Sequence, residues 1–140
     1  MLTRVCLAAL AAVAVSAAAA GQSSIPGLDI KVTKIERAAS ASLRDCPPGT
    51  NTVSAVSKPG EQFALVTVAF KVSSAYKPAP MKRPTVTDST DKSYFTPSQF
   101  VDVASVPEFS CTFPFRVPEG TKLKALKIEN ASFDLAGMDK

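Results

Sequence analysis

The stretch Gln62-Phe63-Ala64-Leu65-Val66-Thr67-Val68-Ala69-Phe70-Lys71-Val72-Ser73 decides how this chain folds. Ala64, Val66, Val68, Phe70 and Val72 take every second position, with Thr67, Ala69, Lys71 and Ser73 between them. A period of two marks a strand with one buried face, whereas a helix would repeat its apolar positions every three or four residues. The stretch has no proline, is rich in valine, and begins apolar on both faces at Phe63 and Leu65. It therefore suits a central strand, hydrogen-bonded along both edges.

The same period recurs on either side. From Leu28 to Arg37, Leu28, Ile30 and Val32 share one face, with Asp29, Lys31 and Thr33 on the other. From Phe109 to Val117, Phe109, Cys111, Phe113, Phe115 and Val117 share a core face, while Ser110, Thr112, Pro114 and Arg116 point outward. Pro114 brings no N–H to the ladder, which predicts an edge strand or a bulge. Pro118-Glu119-Gly120 turns the chain into a strand over Lys122 to Ile128, and Ala131 to Leu135 supplies a last one. Thr85 to Thr87 and Lys92 to Thr96 flank the polar turn Asp88-Ser89-Thr90-Asp91, so a hairpin is expected there. Gln99 to Ala104 is a further strand candidate. Residues 38–60 read as a long loop with one short strand near Val53 to Val56, and the proline-rich Lys77 to Pro84 reads as a crossover or irregular edge. About seven to nine short strands with regularly spaced turns predict an all-β fold, a two-layer antiparallel β-sandwich.

Residues 1–20 have a different character. Arg4 precedes an apolar run from Val5 to Val15, and Ala18-Ala19-Ala20 supplies small side chains before Gly21, the pattern of a secretory signal cut near Ala20. The run is shorter than the roughly 18 to 20 residues that span a bilayer. Cys6 sits at its beginning, where it cannot serve as a lipid-attachment site. The division expected is a signal peptide at 1–20, a linker at 21–27, one sandwich domain at 28–136 and a tail at 137–140. The mature chain is expected in the periplasm or the extracellular medium, without stable membrane insertion. Cleavage removes one cation and no anion, lowering the formal charge of +4 by one. That is too mild, and the basic residues Lys82-Arg83 and Lys122, Lys124, Lys127 too dispersed, for nucleic-acid binding to be expected.

Export also sets the redox chemistry. Cys46 and Cys111 are the two thiols left after cleavage, and an oxidising compartment favours their pairing. They stand 65 positions apart, unlike the closely spaced Cys-x-x-Cys of a redox catalyst. A bridge is therefore expected to tie the early loop to the core.

The residues that build active sites are sparse. With no His among 140 residues and both mature cysteines committed, no zinc or copper site, no other cofactor and no catalytic residue is expected. Ser74-Ala75-Tyr76-Lys77 has the Ser-x-x-Lys spacing of serine acyl-transferases, but it ends a strand and precedes Pro78 instead of opening a helix. Asp88 and Asp91 can offer oxygens to a calcium ion, yet two carboxylates in a turn are better read as caps on backbone N–H groups. Tyr76, Tyr94, Phe95 and Phe100 lie in the less regular middle of the chain. They are either satellite packing or a candidate partner surface.

The run Phe113-Pro114-Phe115-Arg116-Val117-Pro118-Glu119-Gly120 leads into alternating Leu and Lys. With the Phe63 to Val72 strand and the Asp88 to Tyr94 turn, it resembles bacterial secreted immunoglobulin-like domains of unknown function, similar in fold to the immunoprotective extracellular antigen family. The resemblance spans roughly Ile30 to Leu135, and it implies an immunoglobulin-like sandwich with interaction or envelope roles and no catalytic residues. The function expected is a non-catalytic exported binding or structural module, monomeric, acting on an unidentified protein or envelope component. The alternative is a carrier holding a small apolar ligand between its sheets near Phe63, Phe70, Phe113 and Phe115. A secreted hydrolase ranks third.

Overall fold

The computed structural model describes residues 25–48, 52–99 and 106–140. The signal segment, Phe100 and most of the strand candidate at 99–104 lie outside these residues; Gln99 itself is not in a strand. Nine strands are formed among the described residues: β1 (Leu28–Ala38), β2 (Ser40–Leu43), β3 (Val53–Val56), β4 (Glu61–Val72), β5 (Thr85–Asp88), β6 (Ser93–Phe95), β7 (Glu108–Pro118), β8 (Leu123–Ile128) and β9 (Ala131–Asp134). They build one three-stranded sheet in the order β1-β4-β7, one four-stranded sheet in the order β6-β5-β8-β9, and a two-stranded ladder of β2 and β3. All pairings are antiparallel. The fold is thus all-β, and its two larger sheets are consistent with a sandwich.

β4 is central, as its sequence predicts, with β1 on one side and β7 on the other. Pro114 falls on an edge strand, opposite Leu65, where its missing N–H costs no ladder bond on the open side. It is buried, however, not exposed as expected for an outward-facing residue. Val66, Val68 and Phe70 of β4 and Phe113, Phe115 and Val117 of β7 join Val86 of β5 and Leu126 and Ile128 of β8 in one buried cluster. Burying each such side chain is worth about 1.5–3 kcal/mol against leaving it in water, so this shared core binds the two sheets to each other. Phe70 is its hub, stacked on Phe109 at 4.9 Å between ring centroids and meeting Phe113 edge to face at 6.5 Å. Phe63 points to the other side of β4 but is only 2% exposed; the Arg116 guanidinium covers its ring at 4.9 Å.

β1 keeps its apolar face toward the core by an irregularity that alternation alone does not announce. Val32 pairs with Val68 and Lys34 with Thr67, leaving Thr33 as an extra residue in the ladder. After this bulge Ile35 and Arg37 take the side that Leu28, Ile30 and Val32 held before it. Thr33 Oγ1 donates to the Thr67 carbonyl at 3.2 Å.

Three further contacts position the connections. Segment 38–60, read as mostly loop, contains β2 as well as the short strand near Val53, with Ser40 opposite Val56 and Leu43 opposite Val53. Gly27 has φ 77° and packs so closely under Tyr76 that a Cβ there would lie 2.1 Å from the Tyr76 nitrogen, so no other residue fits without moving the connector. Asp139 closes the end of the chain. Its carboxylate accepts two bonds from Arg37 Nη2, at 2.7 and 2.8 Å, and one from the Leu123 N–H at 2.6 Å, which clasps β1 to the start of β8.

Candidate functional site

The β5–β6 hairpin holds a densely hydrogen-bonded carboxylate at its turn and an exposed aromatic ring at its far end. Asp88 ends β5 and is buried, 6% exposed. Its Oδ1 accepts bonds from the Thr90 N–H at 2.8 Å, the Thr90 hydroxyl at 2.7 Å and the Lys92 N–H at 3.0 Å. Its Oδ2 accepts the Tyr94 hydroxyl at 2.9 Å. A short acidic side chain at the start of a tight turn is well placed to satisfy N–H groups that the turn leaves without ladder partners. The capping role predicted for this turn is therefore met by Asp88, while Asp91, at φ 67°, pairs instead with Lys124 at 2.6 Å.

The electrostatics follow from these bonds. The Thr90 hydroxyl is the largest influence holding the Asp88 carboxyl at about 2, below its ordinary 3.8, with the Lys92 N–H, the Tyr94 hydroxyl and the Thr90 N–H acting in the same direction against burial. Burial, then the bond to Asp88, pushes the Tyr94 phenol above its usual range. Lys124 is raised by its bond to Asp91. A carboxyl favoured in its ionised form by the fold stabilises the protein fully above pH 3.8, and that contribution drains away as the pH falls toward 2. Asp88→Asn is therefore expected to lower the thermal midpoint by several degrees at neutral pH, with the gap from wild type closing between pH 3.8 and 2. A gap that stays constant over that interval in paired melting curves would refute this account.

Alternation along β6 sends Tyr94 inward, where it packs against the core cluster, and leaves Phe95 outward with 70% of its surface exposed. Lys92 lies over the Tyr94 ring at 5.4 Å from its centroid. Phe95 sits at the end strand of its sheet, opposite Thr85. Tyr76 belongs elsewhere. It lies in the connector above Gly27, half-buried against the core, with its hydroxyl donating to Met81 Sδ at 3.6 Å. Of the four aromatics proposed as a partner surface, Phe95 is thus the exposed one, Tyr76 and Tyr94 are partly engaged in packing, and Phe100 lies outside the described residues.

Cys46 and Cys111 are joined, with sulfurs 1.98 Å apart and Cα atoms 5.7 Å apart. Both are buried, at 0% and 4% exposure. The Cys46 N–H donates to the Gln99 carbonyl at 2.7 Å, so the bridge gathers the segment after β2, the segment after β6 and the core strand β7 at one point. Beside it Ser42, Arg44, Asp45 and Ser110 line a surface groove of about 290 Å³.

The remaining sequence signals stay apart. Ser74 and Lys77 are exposed in an irregular connector with no helix to align them. Among the described residues no group of three His, Cys, Asp or Glu side chains could hold a metal ion, and no helix is long and apolar enough to cross a membrane. Sequence reasoning did not foresee the Arg37–Asp139 clasp, whose partners lie 102 positions apart. No family model, curated protein or solved structure matches the chain.

Proposed function

We propose that this protein is a non-catalytic binding or structural module of the bacterial envelope or extracellular space, built as an immunoglobulin-like sandwich and acting through the β5–β6 end of its four-stranded sheet. The observation that carries the reading is Phe95. A large aromatic ring left 70% exposed on a terminal strand, beside a hairpin made rigid by Asp88 and Tyr94, is the kind of anchor that contributes most when a partner covers it. Export is supported by the apolar N-terminal segment and by the buried Cys46–Cys111 bridge, since such bridges persist in oxidising compartments. The carrier alternative gains no such support. Phe70, Phe113 and Phe115 are fully buried, and the first two meet in direct ring contact.

The test is affinity capture from the native envelope fraction with the wild-type protein and with Phe95→Asp as parallel baits. A component held by the first and lost by the second, at equal thermal midpoints, is the expected result. Identical capture by both baits would remove Phe95 from the interface and the proposal with it.

A further inference from the structure

The distribution of basic residues singles out one peptide bond. The chain has 16 Lys and Arg residues, and all but Arg4 fall among the described residues. Seven of them, Lys31, Lys34, Arg37, Lys71, Arg116, Lys124 and Lys127, lie within β1, β4, β7 and β8. An endopeptidase binds its substrate as an extended strand and would first have to peel these residues from their ladders. Lys58, Lys77 and Arg83 lie in irregular backbone, yet each is followed by proline, as Lys58-Pro59, Lys77-Pro78 and Arg83-Pro84. A trypsin-class enzyme does not accept proline on the leaving side of the bond, because the ring replaces the N–H and obstructs the fit. Within residues 25–140 four bonds are left: Arg44–Asp45, Lys82–Arg83, Lys92–Ser93 and Lys122–Leu123.

Two of the four are held on both sides through their backbone groups, and a third is bracketed by a ladder and the disulfide. The Lys92 N–H donates to Asp88 Oδ1 and its carbonyl accepts the Asp88 N–H at 2.9 Å, inside a four-residue turn. The Lys122 carbonyl accepts the Ser89 N–H at 3.0 Å, and the next N–H, that of Leu123, is held by Asp139. Arg44–Asp45 lies between Leu43, paired with Val53 at the end of β2, and the fully buried, bridged Cys46, whose N–H donates to the Gln99 carbonyl. Lys82–Arg83, by contrast, lies in the connector between β4 and β5, which forms no strand from residue 73 to 84. Both of its side chains are exposed, and the Lys82 N–H is held by the side chain of Glu129, itself exposed. Pro84 is buried downstream and Met81 is half-buried against the core upstream, so Lys82 and Arg83 stand out as an exposed pair between two anchored residues, just after the exposed residues 77–80.

We infer that Lys82–Arg83 is a processing site, cut in the folded protein by a trypsin-class serine endopeptidase. One water is consumed and the bond between the Lys82 carbonyl carbon and the Arg83 nitrogen breaks, leaving a carboxylate on Lys82 and an ammonium group on Arg83. β1 to β4 then belong to one chain and β5 to β9 to the other. The two stay together, covalently through Cys46–Cys111 and along the β4–β7 ladder. Exposed connectors without ladder bonds are the preferred sites of such nicking.

Limited digestion of the native, unreduced protein with trypsin, read by intact mass, tests the inference. The first product is expected to be a single species heavier by one water, which reduction separates into fragments ending at Lys82 and beginning at Arg83. Lys82→Gln is expected to abolish this early product, since Arg83 remains guarded by Pro84, and Glu129→Ala to speed its appearance several-fold. Equal thermal midpoints for the variants show that the fold is retained. A first cut at Arg44, Lys92 or Lys122, or no cut short of global unfolding in urea, overturns the inference.

Discussion

Replacing Cys111 with serine is expected to lower the unfolding free energy by about 4 kcal/mol, the loss that chain-entropy arguments assign to opening a bridge across 65 residues. Total stability for a domain of this size is about 5–15 kcal/mol, so the variant would lose from about a quarter to most of its margin. The effect has two parts. The unfolded chain regains the freedom that the bridge denies it, and the native state loses the fixed point where Cys46, Gln99 and β7 meet. Urea titration of the oxidised wild type and of Cys111→Ser measures the difference directly. A loss below about 1 kcal/mol would mean that the packing around both buried sulfurs, not the covalent link, holds this end together.

The second large effect belongs to the core. Phe70→Ala is expected to cost about 3–5 kcal/mol, the range found when a buried ring is removed and its surroundings cannot fully close the space. Phe70 is fully buried, stacked on Phe109 and edge-on to Phe113, and its strand neighbours are fixed by ladders on both sides, so little collapse is available. Chemical denaturation should show a lower midpoint with an unchanged denaturant slope. A much smaller loss would show that the space refills, and the core would then be more adaptable than its ring contacts indicate. Because Phe70 and Cys111 share the same packed cluster, the double variant is expected to lose other than the sum of the two single losses.

The large strands were legible because their information is local. β4 and β7 each repeat an apolar side chain at every second position over nine residues, 64–72 and 109–117, and no helix period competes with that pattern. Pro114 left an edge or a bulge open for equally local reasons, and β7 lies at the edge of its sheet with an unbroken register. β2 was not legible, because Ser40-Ala41-Ser42-Leu43 carries too little apolar surface to declare a buried face; its pairing with β3 becomes visible only in the register. The bulge at Thr33 depends on β4, more than thirty positions away, and no property of threonine announces it. At the candidate site, Asp88 was readable as a turn residue from its neighbours, but its burial was not, since that depends on Tyr94 folding back across the turn. The exposure of Phe95 was hidden for the same reason, because a three-residue strand does not reveal from sequence which of Tyr94 and Phe95 points inward. The Arg37–Asp139 clasp joins two ordinary charges that only the finished topology brings within reach.

Thr33 also has a consequence for how change accumulates in this protein. By inserting one unmatched residue, it resets the phase of β1, so that even-numbered positions feed the interior before it and odd-numbered positions after it. The two halves of the strand are then interpreted under opposite rules: with the rest of the register kept, loss of Ile30, Lys31 or Val32 would carry Asp29 to the oily side, and loss of Ile35 would carry Glu36 there. A loss at Thr33 or Lys34 alone is taken up by the unmatched residue; elsewhere in the strand a change in length is felt by every position beyond it.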